Sequence, residues 1–453
     1  MPHRTAEQIG STELGPRPLP PLGPPRTPSA PSAVDTVLDT GLRVIAVRRP
    51  AVPMVELRLR IPFGGTHRTH PARAELLGAT LLQGTPRRDR FTIDKVLAAV
   101  GGELSAVVDP EHLSVSGSAL ASGLDIALDV LGDALRAASY ASPEVIRERD
   151  RLVERLTLSR SRPQVIAREA LQRRRYGNHP FAREWPEPDD VAAVTPAAVR
   201  ALHRRSVVPR RAVLVLVGDI VPDRAVELVA SMLAGWQSDH PAVGLAPLPP
   251  LTPADVLLVH RDGAVQSQLR LSAQAVPRDD ERYPALQLAN LVFGGYFSSR
   301  WVENIREDKG YTYSAHSGLE FTSSGATLVA EADTASEVTA AALLETRYEL
   351  GRMTVVPPGE AEVDSVRHYA IGSLTINLAS QRGLAGQLVT LAGLGLDLDW
   401  LLTHPSRLRV VTAAEVAEAA AHFFAPSRFT GVVVGDAKRL SDPLAGLGGV
   451  ELP

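Results

Sequence analysis

Among its 453 residues the chain has no cysteine. Disulfides, thiolate zinc sites and a cysteine nucleophile are thereby excluded together, and any metal chemistry must use His, Asp and Glu. Lysine is nearly as scarce: Lys95, Lys309 and Lys438 are the only lysines in a Lys+Arg total of 48. Basic charge here means arginine, and a single arginine says little outside its arrangement. Nowhere does the sequence hold the run of about 18 apolar residues that a membrane helix needs. Neither sign of charge dominates, and a formal net charge of -3 offers no electrostatic argument for nucleic acid or an anionic membrane as partner. Residues 1–34 contain scattered prolines but no apolar stretch to serve as the h-region of a signal peptide. They are expected to form a disordered or polyproline tail, with the cytoplasm as the default location.

What is present is the ordinary mix of a soluble globular protein, 44% hydrophobic and 22% charged, in a chain long enough for at least two domains. After the tail, TVLDTGLRVIAVRRP and MVELRLRIPFGG alternate apolar and polar residues and end at glycine or proline, so two strands are predicted. Helical stretches follow in ARAELLGATLLQGT and FTIDKVLAAVGG, then a strand pair in ELSAVVDPEHLSVSGSAL and a helix in ASGLDIALDVLGDALRAAS. This order argues for α+β layers with mostly antiparallel sheets covered by helices.

An internal echo organises the rest. VTPAAVRALHRRSVVPRRAVLVLVGD starts at Val194, and VTAAEVAEAAAHFFAPSRFTGVVVGD starts at Val411. Thr195 and Thr412, Pro209 and Pro426, and Gly218 and Gly435 are each separated by 217 positions, with no gap. Both copies spell a threonine N-cap, an amphipathic helix, a stopping proline, a buried strand and a Gly-Asp turn. Such matched self-similarity predicts a duplicated domain. Residues 238–255 are proline-rich and aperiodic, and read as the linker between a first domain at 35–237 and a second at 256–453.

The Gly-Thr after a helix, the two Val-Gly-Asp strand ends, the passage YGNHPFAREWPEPDDVAAVTPAAV and the stretch GGYFSSRWVENIREDKGYTYS together resemble the pitrilysin or insulinase-like metallopeptidases. The likeness is to their short-subunit branch, which includes mitochondrial processing peptidase, and it runs from about Asp35 to the C-terminus. It implies two homologous domains forming half of a clam-shell. It also implies an inverted zincin motif, H-x-x-E-H, in which two histidines one helical turn apart bind zinc and the glutamate activates the metal-bound water. With Gly84-Thr85 in the family's register, Glu75, Gly78 and Ala79 stand where His, Glu and His belong. Glu148 and Glu154 are the available echoes of the third ligand, and a lone carboxylate does not hold zinc. A site displaced to His67, His70 and Glu75 is disfavoured, because Pro71 and Gly64-Gly65 predict a loop with solvated histidines. His112, His179 and His260 read as structural or surface residues.

In the second half, Phe297, Trp301 and Ile305 recur at steps of four, which predicts one inward helical face with Arg300, Arg306 and Asp308 off it. Gly310 is a natural C-terminal cap, and YTYSAHSGLEF alternates as a strand, so a tight turn would bring Arg306 and Tyr313 together. A guanidinium and a phenol side by side suit a peptide carbonyl or the oxyanion formed when water attacks it. The resemblance implies this role for Arg306 and Tyr313 as substrate-binding residues, with no catalytic residue and no metal in this chain. The plainer alternative pairs Arg306 with Glu303 or Glu307 on the helix surface and leaves Tyr313 a half-buried strand aromatic.

The function that follows from the resemblance is that of a non-catalytic subunit in a heterodimeric zinc metallopeptidase. Its partner would be a paralogue bearing H-x-x-E-H and the zinc, and its ligand a peptide. A proteolytically inactive scaffold subunit, like the related core proteins of respiratory complexes, is the second reading. A metal-independent peptide binder acting alone is the third.

Overall fold

The computed structural model describes residues 30–453, so most of the expected tail lies outside the described residues. The first strand starts two residues before Asp35. In the first half the strands are β1 (Ala33–Val37), β2 (Arg43–Arg48), β3 (Met54–Pro62), β4 (Glu103–Val108), β5 (His112–Leu120) and β6 (Val213–Gly218). They form one sheet in the order β1-β2-β6-β3-β5-β4. In the second half β7 (Val256–His260), β8 (Gln266–Gln274), β9 (Thr312–Thr322), β10 (Gly325–Ala335), β11 (Thr430–Gly435) and β12 (Val450–Glu451) form another, ordered β12-β7-β11-β8-β10-β9. Apart from β1 and β12, the five strands of each sheet repeat one topology: a parallel pair, β2 with β6 and β7 with β11, followed by antiparallel neighbours.

The helices that matter for function are, in the first half, α1 (His70–Thr80), α2 (Ser142–Ser159), α3 (Pro163–Tyr176) and α4 (Pro196–Ser206). In the second half they are α5 (Tyr283–Asn290), α6 (Glu360–Ala379), α7 (Gln381–Gly393), α8 (Leu398–Val410) and α9 (Ala413–Phe423). The echo survives to the residue: α4 and α9, and β6 and β11, begin and end 217 positions apart. Thr195 caps α4 by accepting from Ala198 N–H, and Thr412 caps α9 in a full capping box with Glu415.

Both β6 and β11 are buried at every residue, because each sheet is covered on two faces. On one face of β6, Leu214 and Leu216 join the first half's own core with Leu57, Leu59 and Leu128. On the other, Val213, Val215 and Val217 pack against Leu384, Leu388 and Leu391 of α7, a helix of the second half. The exchange is reciprocal: Val432 and Val434 of β11 pack against Ala167 and Leu171 of α3, from the first half. A polar lock borders that second contact. Arg175, its side chain fully buried, holds Glu320 with two nitrogens at 2.9 Å, and Arg168 reaches the same carboxylate at 2.5 Å.

Candidate functional site

The stretch holding Arg306 and Tyr313 is built from interrupted helix. After α5 the backbone widens into a π turn at Leu291–Gly295, resumes as helix over Arg300–Val302, and widens again at Glu303–Asp308. Single π turns of this kind cluster at functional sites. Gly294 is required here, since a Cβ on it would lie 2.8 Å from Trp301 Cε3 and 2.9 Å from Ser317 Oγ. Trp301 is fully buried, stacks on Phe293 at 5.2 Å, and donates from its indole N–H to Thr346 Oγ1 at 3.0 Å. Gly310 takes φ +64 and turns the chain, with Tyr311 N–H donating to Ile305 O at 2.8 Å.

Across that turn Tyr313 lies in a register shift of the β9–β10 ladder: Thr312 faces Thr334 and Ser314 faces Asp333, which leaves Tyr313 unpaired. Bulges of this type re-aim a side chain, and Tyr313 stands 89% exposed. The Arg306 guanidinium lies 5.6 Å from the Tyr313 ring centroid and 4.2 Å from that of Phe297. The predicted pair is therefore adjacent, and the plainer alternative holds in part, since Arg306 Nε also meets Glu307 at 3.5 Å. Glu303 makes no ion pair with it among the described residues. The half-buried guanidinium lies against aromatic rings and keeps N–H donors free of side-chain acceptors other than Glu307 among the described residues, an arrangement suited to a carbonyl or carboxylate oxygen.

Phe297 corrects the sequence expectation. It does not pack inward with Trp301 and Ile305 but is 60% exposed, because the helix starts only after Ser299, its N-cap, and Tyr296 is extended. The Ser-Ser pair ahead of Arg300 is the signal that could have placed Phe297 outside the helix. Arg300 is structural: Nε and one terminal nitrogen grip both oxygens of Glu362 at 2.7 Å, and the other donates to Val356 O at 2.7 Å.

On α1 the family's three motif positions carry Glu75, Gly78 and Ala79. Burial pushes the Glu75 carboxyl up from its ordinary range against the opposing pull of Arg155. Nearby, Glu148 is paired with Arg151 at 2.8 Å and Glu154 is exposed. One half-buried carboxyl with no imidazole on the same helix face does not fit zinc. The neighbouring histidines do not rescue it. Pro71 opens α1 instead of breaking it, so His70 is the first helical residue; it is buried, not solvated, with Nε2 donating to Phe63 O at 2.9 Å. His67 stays on the surface and bonds Thr69.

His260, Asp262 and Asp436 form the one grouping of three metal-ligand types within reach of each other among the described residues. Each of the three already accepts a hydrogen bond from a protein donor. His260 Nδ1 accepts from Ala437 N–H at 3.1 Å, Asp262 pairs with Lys438 at 2.7 Å, and Asp436 accepts from Lys438 N–H at 3.0 Å and Gly263 N–H at 3.2 Å.

Comparison with known proteins identifies the family. The family model "Insulinase (Peptidase family M16)" matches residues 43–189, and "Peptidase M16 inactive domain" matches residues 193–369. A protein of Mycobacterium bovis described as an uncharacterized zinc protease is 30% identical over 319 residues, spanning 67% of this chain and 72% of that one. A probable mitochondrial-processing peptidase subunit beta of Arabidopsis thaliana is 23% identical over 214 residues, 47% of this chain and 40% of its own length. In fold, a peptidase M16 inactive domain from Pseudomonas fluorescens superposes with a TM-score of 0.80 at 22% identity, over 89% of this chain and 98% of that one. With two domains of this type, each built on one six-stranded sheet, the chain belongs to the insulinase family, peptidase family M16.

Proposed function

We propose that this chain is the non-catalytic subunit of a heterodimeric zinc metallopeptidase, acting in the cytoplasm. It closes on a paralogue that carries H-x-x-E-H and the zinc, and holds the peptide substrate through Arg306 and Tyr313. The observation that carries the reading is the half-buried Arg306 guanidinium set beside the exposed rings of Phe297 and Tyr313, at 4.2 and 5.6 Å from their centroids. A pure scaffold has no need of donors displayed in this way. The helix that should bear the metal motif lacks its imidazoles and its base, which supports a division of labour between two chains. Among the described residues no helix is long and apolar enough to cross a membrane.

The test is reconstitution. The purified chain should contain no stoichiometric zinc by elemental analysis and should hydrolyse no peptide alone. On mixing with an H-x-x-E-H paralogue it should co-elute in size-exclusion chromatography and raise peptide hydrolysis above the paralogue's own. A tightly held equivalent of zinc in this chain would overturn the motif register. Absence of both association and gain in rate would leave the scaffold reading in its place.

A further inference from the structure

A second concave site lies in the same half, with α5, α6 and α8 as walls and the distal part of β9 as its floor, enclosing about 330 Å³. That volume is at the small end of ligand pockets. Its walls are aromatic: Tyr283, Phe321, Tyr369 and Trp400 all line it. The polar groups are the amides of Gln287, Asn290, Asn377 and Gln387, the Ser373 hydroxyl, Arg278 and His404. His404 is 3% exposed, and its ring lies in a mutual aromatic cluster with Trp400 at 4.7 Å and Tyr283 at 5.4 Å, the latter two 6.2 Å apart. Burial, with Arg278 and Arg407 nearby, pushes its imidazole down to about 4, so the ring is neutral near pH 7. Nε2–H donates to Gln287 Oε1 at 2.8 Å, which leaves Nδ1 as a lone-pair acceptor without a partner. Arg278 Nε–H likewise has no acceptor, although the same guanidinium bonds the Tyr283 hydroxyl at 2.9 Å and lies over Phe321 at 4.2 Å. Buried polar groups left unpaired in a native fold call for an explanation.

The pocket is tied to the Arg306 site by packing and by a shared strand. Tyr369, on its rim, packs against Tyr296 at 5.1 Å, and Tyr296 precedes Phe297, over which Arg306 lies. Edge strand β9 links the two as well: Tyr313 stands at its start, and Leu319 and Phe321 line the pocket near its end. Six residues of extended chain span about 20 Å, and a peptide running alongside covers the same distance with the same number of residues.

We propose that this pocket is a specificity site for a tyrosine or tryptophan side chain of the bound peptide, lying about six residues from the one held at Arg306 and Tyr313. The proposal rests on the peptide-holding reading above. Flat walls select an aromatic ring, and the amides of Gln287, Asn377 and Gln387 and the Ser373 hydroxyl around them offer partners to a ring with a polar handle, which Tyr and Trp have and Phe and Leu lack.

The probes are N-acetyl-tyrosine amide and N-acetyl-tryptophan amide, with the phenylalanine and leucine amides as comparators, each titrated into the full chain by saturation-transfer NMR. The tyrosine and tryptophan amides should bind, with the leucine amide about tenfold weaker. Ser373→Trp, which fills the mouth from an exposed helix position, should abolish binding. Arg306→Ala should leave amide binding unchanged. In the reconstituted enzyme, Ser373→Trp should raise KM for peptides with a tyrosine at the predicted distance and spare those with alanine there. Equal binding of all four amides, or binding indifferent to Ser373→Trp, sinks the pocket while Arg306-dependent hydrolysis stands. Normal amide binding together with hydrolysis indifferent to Arg306→Ala sinks the peptide-holding reading, and with it the pocket's place on the peptide path.

Discussion

Arg306, Tyr313 and Phe297 each contribute a separable property, which makes the site testable atom by atom. Arg306→Ala removes the charged donors, and Tyr313→Phe removes one hydroxyl while keeping the ring beside the guanidinium. If each supplies a donor to a carbonyl or oxyanion, each loss should cost on the order of 3 kcal/mol, about a hundredfold in turnover of the reconstituted enzyme. Dimer formation should be unchanged, since both side chains reach solvent. Phe297→Leu removes only the stacking face, so its effect should be smaller, about 0.5–2 kcal/mol and mostly in KM. Arg300→Ala supplies the contrast. It strips two charge-assisted bonds from Glu362 and should lower unfolding free energy by about 1.5–3 kcal/mol in a denaturant titration, with little change in turnover per folded dimer. Near-normal hydrolysis with Arg306 and Tyr313 altered would mean that the pair only packs. Of these residues the sequence anticipated the adjacency of Arg306 and Tyr313, because their spacing across Gly310 implies a turn. It hid Phe297, because a step of four to Trp301 looks helical until the Ser299 cap and the π turns are known.

Among the elements, what was legible is what repeats or alternates. The echo at 217 positions anticipated α4, β6, α9 and β11, since caps, periodic apolar residues and a buried strand are local signals. What was hidden depends on distant contacts: the burial of His70, and the polar anchor under α4. His203 of α4 is buried, donating from Nε2 to Leu135 O at 3.0 Å while its Nδ1 accepts from the Tyr140 hydroxyl at 2.7 Å. Desolvation pushes its pKa down from 6.5 to about 4, so the unfolded chain takes up the proton first as pH falls. The stability this group contributes is therefore complete above about pH 6.5 and is lost as pH falls towards 4, on the order of 3 kcal/mol in all. His404 behaves in the same direction. Urea titrations between pH 7 and pH 4 should show this fall, and His203→Gln, which cannot titrate, should flatten it by roughly half. An unchanged slope in that variant would mean that His203 is solvated enough to protonate in the folded chain.

At the scale of the whole molecule, the reciprocal placement of α3 and α7 decides how the chain folds. The sequence announced two copies of a domain, and copies of that kind are normally expected to carry their own cores. Here each sheet depends on the other half for one covered face: Val213, Val215 and Val217 need Leu384, Leu388 and Leu391, and Val432 and Val434 need Ala167 and Leu171. Cutting the chain between the halves would leave both sheets with an exposed apolar face and would leave Arg175 and Glu320 without each other. Apolar area of that kind is worth about 25 cal/mol per Å², enough across several buried side chains to exceed the margin of a typical domain. Residues 256–453 expressed alone should therefore give a poorly dispersed NMR spectrum and bind a hydrophobic dye, and the same should hold for residues 30–237. Co-expressed, the two fragments should assemble and regain the dispersion of the intact chain, which itself should unfold in one transition. Independent cooperative folding of either fragment would show that the exchanged helices merely dock, and that the two halves are free to move apart while the proposed peptide site at Arg306 stays intact.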